Sequence, residues 1–137
     1  MRLSEVVTVA GILSGIKINK ISDKEVKTTL INDYLHLRKF AKGADSDAEE
    51  LRKKFRQDWA EELEEVSKLR RDGKPVVGHK EYLDAELDAN KGIQDIYAAD
   101  APTAVKSVKM ETFVSACGGE ELTFEQIAIL QENGIIE

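Results

Sequence analysis

The side chains in this chain that could do chemistry are few and scattered. Two histidines, His36 and His79, and the single cysteine, Cys117, could in principle form a Cys/His/His metal cluster. Structural metal sites are usually anchored by a closely spaced ligand pair, and no Cys-x-x-Cys or His-x-x-x-His is present. His36 stands between Leu35 and Leu37 in a helical pattern and reads as an exposed or flanking helix residue. His79 follows Gly78 and reads as a turn or helix-entry residue. Cys117 precedes Gly118-Gly119 but closes the apolar run Phe113-Val-Ser-Ala-Cys117. That is the helix end whose dipole disfavours a thiolate, so the residue reads as structural. Glu61, Glu62, Glu64 and Glu65 lack the Glu-x-x-His partner of a helix-borne metal site and read as a solvated acidic face. Lys53, Lys54 and Arg56, beside Phe55 and Trp59, have the residue types of a nucleic-acid contact, but the acids from Asp58 to Glu65 dilute that field. The glycines form no phosphate-cradling motif. No catalytic residue, metal or cofactor is nominated, and a non-enzymatic role is the expectation.

What the sequence specifies well is a helical scaffold. From Val26 to Leu69, apolar or small residues recur at steps of three and four: Val26, Leu30, Tyr34, Leu37, Ala41, Ala44, Ala48, Leu51, Phe55, Trp59, Leu63, Val66, Leu69. That is the period of one α-helical face. A single helix of this length would run roughly 65 Å, against a radius of gyration of about 14 Å for a compact domain of this size. The stripe must therefore fold back on other helices, pair with a second chain or face a partner. Ser22-Asp-Lys-Glu25 reads as a capping box that starts it, and Gly73-Lys74-Pro75 as its stop. Gly43, followed by Ser46-x-x-Glu49, could turn the stripe into a helical hairpin. The uninterrupted phase through Ala41, Ala44 and Ala48 favours a continuous helix. Glu50 with Lys54 and Glu64 with Lys68 have favourable i,i+4 spacing.

Around the stripe, Ser4 reads as the cap of a first helix ended by Gly15, and residues 16–21 as an extended link or edge strand. A helix is expected over about Lys80 to Asn90, prolonged by residues 93–99, with Tyr82, Leu83 and Leu87 inward. Asp100-Ala-Pro102 breaks the chain. Val105 to Met110 has the β-branched content of a short strand, and Thr112 to Ala116 reads as one or two helical turns ended by Gly118-Gly119. Thr123-Phe-Glu-Gln126 is a second capping box. It opens a helix with Ile127 and Leu130 inward, closed by Asn133-Gly134, and Ile135-Ile136 should dock. The expected fold is mostly α: a long central helix or coiled-coil-like hairpin with short packing helices and a small α/β C-terminal module. The expected division is a helical region over 1–100, with the long helix at about 23–72, and the module over 101–137.

Composition bounds the address and the partners. The 137 residues are 34% charged and 42% hydrophobic, and the net charge is −6. From Pro75 onward there are four Lys/Arg and twelve Asp/Glu, which argues against a nucleic-acid footprint there. A lone cysteine fits a reducing compartment. Glu5 interrupts the apolar N-terminus, no small-x-small cleavage site follows cleanly, and no run reaches the length of a membrane span. A cytoplasmic location, with neither membrane nor small-molecule substrate, is expected.

Two short motifs carry a resemblance. Gly73-Lys74-Pro75-Val76 after a long helix, and a closing Leu122-Thr-Phe-Glu-Gln126 helix, resemble the layout of small phage- or prophage-encoded helical proteins of unknown function. The resemblance implies a phage accessory or assembly protein and brings no catalytic residues. Phe55 and Trp59, four residues apart, make a large aromatic ridge with Leu51, Leu63 and Val66, and aromatics anchor interfaces disproportionately. Packing under the chain's own helices is the simpler role for the two aromatics, and contact with a partner or a second copy is the alternative. The expected function is protein–protein interaction or assembly through a helical surface, as a homodimer or with a protein partner. A chaperone-like or inhibitory binder of a host or phage protein is the alternative.

Overall fold

A computed structural model describes residues 1–118 and 121–137. Its helices are α1 (Leu3–Ser14), α2 (Lys24–Asp58), α3 (Ala60–Arg71), α4 (Lys80–Ala98), α5 (Met110–Ala116) and α6 (Phe124–Glu132), with a 3-10 turn at Ile18–Lys20. The protein is mostly α, as its periodicity indicates. No strand occurs among the described residues, only single bridges pairing Arg2 with Asp100 and Val108 with Ile136. The expected α/β character of the C-terminal module and the edge strand at 16–21 are therefore corrected. None of the described helices is long and apolar enough to cross a membrane.

The long helix runs unbroken through Gly43, so the hairpin alternative is also corrected. Among the described residues, nothing beyond the neighbouring turns of α2 lies within 4 Å of the position a Gly43 side chain would occupy, so the glycine is no packing hinge, and Ala41, Ala44 and Ala48 stay buried in phase around it. The break comes instead at Trp59, with φ −123° and ψ 28°. Hydrogen bonding nevertheless passes through it, from the Trp59 N–H to the Phe55 carbonyl (3.0 Å) and from the Leu63 N–H to the Trp59 carbonyl (2.8 Å).

Helix ends follow the local chemistry. Asp23, not Ser22, caps α2: its Oδ1 accepts the Val26 N–H at 3.0 Å. The Ser22 N–H instead donates to the Ala116 carbonyl at 3.1 Å, tying the entry of α2 to α5. α1 begins one residue ahead of the expected Ser4 cap, with the Glu5 carboxylate accepting the Arg2 N–H at 3.0 Å. α3 ends at Gly73 (φ +66°), where the Lys74 N–H reaches the Leu69 carbonyl at 2.9 Å and the Gly73 N–H reaches Arg70 at 3.2 Å. These are the two bonds of a Schellman stop, which needs a left-handed residue that glycine supplies without strain. The same pair recurs at Gly134, where the Ile135 N–H meets the Leu130 carbonyl. Gly119 of the expected Gly118-Gly119 stop lies outside the described residues.

The chain divides into two compact units: residues 1–43 with 99–137, and residues 44–98. In the first, α1, the start of α2, α5, α6 and the C-terminal residues share one apolar core, with Val6, Val9, Leu37, Leu130 and Ile135 fully enclosed. Ile135 and Ile136 dock as expected. In the second, the rest of α2 joins α3 and α4, with Ala48, Val66 and Tyr82 fully buried. Leu87, expected inward on α4, is 67% exposed. On the α2 surface of this unit Glu49 pairs with Arg56 at 2.7 Å and with Arg52 at 3.7 Å. Neither expected i,i+4 pair is made among the described residues.

Candidate functional site

The ridge residues Leu51, Phe55, Trp59, Leu63 and Val66 belong to the 44–98 unit, and the structure sets two of them, Phe55 and Trp59, against Tyr82 of α4. The Phe55 ring lies 5.4 Å from that of Tyr82, and the Trp59 indole meets it edge-on at 6.1 Å. Val66 is fully buried and the other four are half-buried. Leu51 packs where a side chain on Gly92 would come within 3.2 Å of its Cδ1, so the small residue on α4 admits it. The Tyr82 hydroxyl donates to Glu86 at 3.2 Å, and Glu86 holds Arg70 through two bonds of 2.8 and 3.0 Å. Arg70 holds the Glu86 carboxyl below its ordinary pKa, while burial and then Glu86 push the Tyr82 phenol upward. His79 caps α4, its carbonyl accepting the Leu83 N–H, and its Nδ1 lies 3.2 Å from Glu62. The ridge is thus a packed aromatic layer inside its own unit.

In the 1–43/99–137 unit, Asp33 and His36, one turn apart on α2, hold the segment that reads as a strand. The Lys106 N–H donates to Asp33 Oδ1 and the Ala104 N–H to His36 Nε2, both at 2.9 Å, while the Val108 N–H reaches the Ile135 carbonyl. Alternate amides of an extended chain point the same way. Here two helix side chains and one carbonyl serve them where a neighbouring strand would. His36 is therefore a backbone anchor, not merely a flanking residue. Asp33 is 4% exposed, and its buried Oδ2 has no hydrogen-bond partner among the described residues. Burial raises its pKa, and the Lys106 amide offsets this only in part.

Because folded Asp33 holds its proton more tightly than the unfolded chain does, its contribution to stability falls as pH rises from the ordinary carboxylate value through the raised one. Asp33→Asn keeps the acceptor and removes the charge. Its thermal midpoint relative to the parent should therefore be more favourable at about pH 7 than at about pH 4.5. A difference independent of pH would show that this carboxyl titrates as it does in the unfolded chain.

The same unit carries an apolar groove of about 280 Å³ between the end of α1, the 3-10 turn and α2. Leu13, Ile16, Ile21 and Leu30 line it as buried residues, while Ile18 and Leu35 stand half-exposed, at 55% and 50%. Basic residues surround the α2 side of the groove by helical spacing: Lys27 one turn before Ile31, Arg38 one turn after Tyr34 and Lys39 one turn after Leu35. Of the 26-30-34-37 stripe, Leu30 and Tyr34 line this groove. The usable signal was the second apolar line, Ile31 and Leu35, which widens the face beyond what one buried seam needs.

Cys117 is buried at the C-terminal end of α5, as its sequence context indicates. No three His, Cys, Asp or Glu side chains converge as a metal site among the described residues. Comparison with protein-family models, with curated proteins and with solved structures finds no significant match to this chain.

Proposed function

We propose that the protein is a non-enzymatic interaction or assembly module, and that the helical surface it works through is the groove of the 1–43/99–137 unit. The observation that carries this reading is the exposure of Ile18 and Leu35 beside an otherwise enclosed core. Large apolar side chains at the mouth of a concave apolar surface are the usual form of a contact site. The ridge of the other unit supports the reading less well, because Tyr82 already packs against it. The resemblance to phage accessory proteins is compatible with such a role.

Anilinonaphthalene sulfonate, an anionic aromatic dye, matches both the apolar lining and the basic surroundings. At low protein concentration its fluorescence should rise several-fold in the presence of the folded protein. Leu35→Glu, at a half-exposed helical position, should remove most of that rise without lowering the thermal midpoint. No enhancement, or equal enhancement by the variant, would overturn the assignment of the groove.

A further inference from the structure

We infer that the occupant of this groove is Phe124 of a second copy of the chain. The inference rests on the groove being a contact site and adds what fills it. Phe124 is 95% exposed, far more than either apolar residue at the groove. Its position is fixed: it is the first residue of α6, directly after a capping box in which the Gln126 N–H donates to Thr123 Oγ1 at 3.1 Å and the Thr123 N–H to Gln126 Oε1 at 2.9 Å. On either side of the cap, Leu122 and Ile127 pack against the core, in the positions of a hydrophobic staple. The staple holds the start of α6 down while Phe124 projects into solvent. A large aromatic held outward on an ordered helix end retains little freedom to lose on binding.

Charge selects the pairing. Phe124 is flanked by Glu121 and Glu125, whereas Lys27, Arg38 and Lys39 stand on α2 one helical turn from the groove residues Ile31, Tyr34 and Leu35. An acidic collar around an aromatic knob complements a basic rim around an apolar hole, and such complementarity favours this encounter over knob against knob. The 95% exposure shows that Phe124 does not fill the groove of its own chain, so the fit has to be made between copies. Knob and hole are different surfaces. Two copies can satisfy both contacts reciprocally, or a head-to-tail chain can form if the geometry does not close. One aromatic per contact is far less than a standard interface buries, so the association is weak and concentration-dependent.

Sedimentation equilibrium over a wide range of protein concentration tests this. The expected mass rises from the 15.3 kDa monomer toward multiples of it. Phe124→Ser, at an exposed position, and Leu35→Glu should each weaken the rise about 10-fold or more, with helical content unchanged by circular dichroism. Mixing the two variants should recover part of the association, since one supplies an intact knob and the other an intact hole, which rebuilds one contact. Dye enhancement per molecule should fall as the parent protein is concentrated, and should stay constant for Phe124→Ser. A parent chain that binds dye but stays monomeric would leave the groove reading intact and overturn the second-copy inference. Loss of both signals would overturn both. Self-association of Phe124→Ser equal to that of the parent, or no recovery on mixing, would also overturn it.

Discussion

Tyr82→Ala is expected to cost the 44–98 unit about 3–5 kcal/mol, the range for deleting a large aromatic from a packed interior. Tyr82 is fully buried in this small unit, and Phe55 and Trp59 meet its ring from α2 and from the break beside it. Removing the ring leaves both aromatics facing a cavity and strands the Glu86 carboxylate without one of its donors. Tyr82→Phe separates the two contributions: it loses only the 3.2 Å hydroxyl bond and should cost about 1 kcal/mol. Denaturant unfolding followed by tryptophan emission gives both values, because the chain's single tryptophan is Trp59 itself. An alanine variant within about 1 kcal/mol of the parent would mean that the aromatic layer is not the core of this unit. That result would return Leu51, Phe55, Trp59, Leu63 and Val66 to the role of a surface reserved for a partner.

The parts of this fold that are legible in the sequence are those decided by local chemistry. Gly73 and Gly134 stop their helices because each stop needs a left-handed residue, and Thr123 and Gln126 satisfy each other's amides within four residues. The helical phase through Ala41, Ala44 and Ala48 outweighs the glycine at 43, since an isolated glycine costs a helix only about 1 kcal/mol. What long-range contacts decide is not legible. Val105 to Met110 has the composition of a strand, but the amides of Ala104 just before it and of Lys106 and Val108 within it are taken by His36, Asp33 and Ile135, and nothing local names those partners. The break at Trp59 has no proline or glycine to mark it. The candidate groove was half legible: Ile31 and Leu35 widen the apolar face of α2, but only the turn at Ile18–Lys20 shows that α1 leaves part of that face open. Ile127 and Leu130 read as the inward side of α6, and Phe124, at its first position, lies outside the core at 95% exposure.

The double substitution Ile135→Ala with Ile136→Ala is expected to abolish cooperative folding of the 1–43/99–137 unit. Both side chains are enclosed, at 0% and 1% exposure, within the core shared by α1, α2, α5 and α6. Each truncation of this kind costs about 2–5 kcal/mol, and adjacent sites in one core couple, so the total need not be additive. Either sum is a large share of the roughly 5–15 kcal/mol that holds a typical domain folded. The substitutions spare the backbone bonds here: the Val108 N–H still has the Ile135 carbonyl, and the Glu137 N–H still has that of Val108, at 2.9 and 2.8 Å. Any loss therefore reports apolar burial and not the bridge. Ile135→Val, which removes one methylene, should lower stability by only about 0.5–1.5 kcal/mol and keep a sharp transition. Thermal unfolding of the two variants beside the parent, followed by circular dichroism, reads the series. A double variant that melts with the cooperativity and midpoint of the parent would show that the C-terminal pair lies on the core without helping to form it.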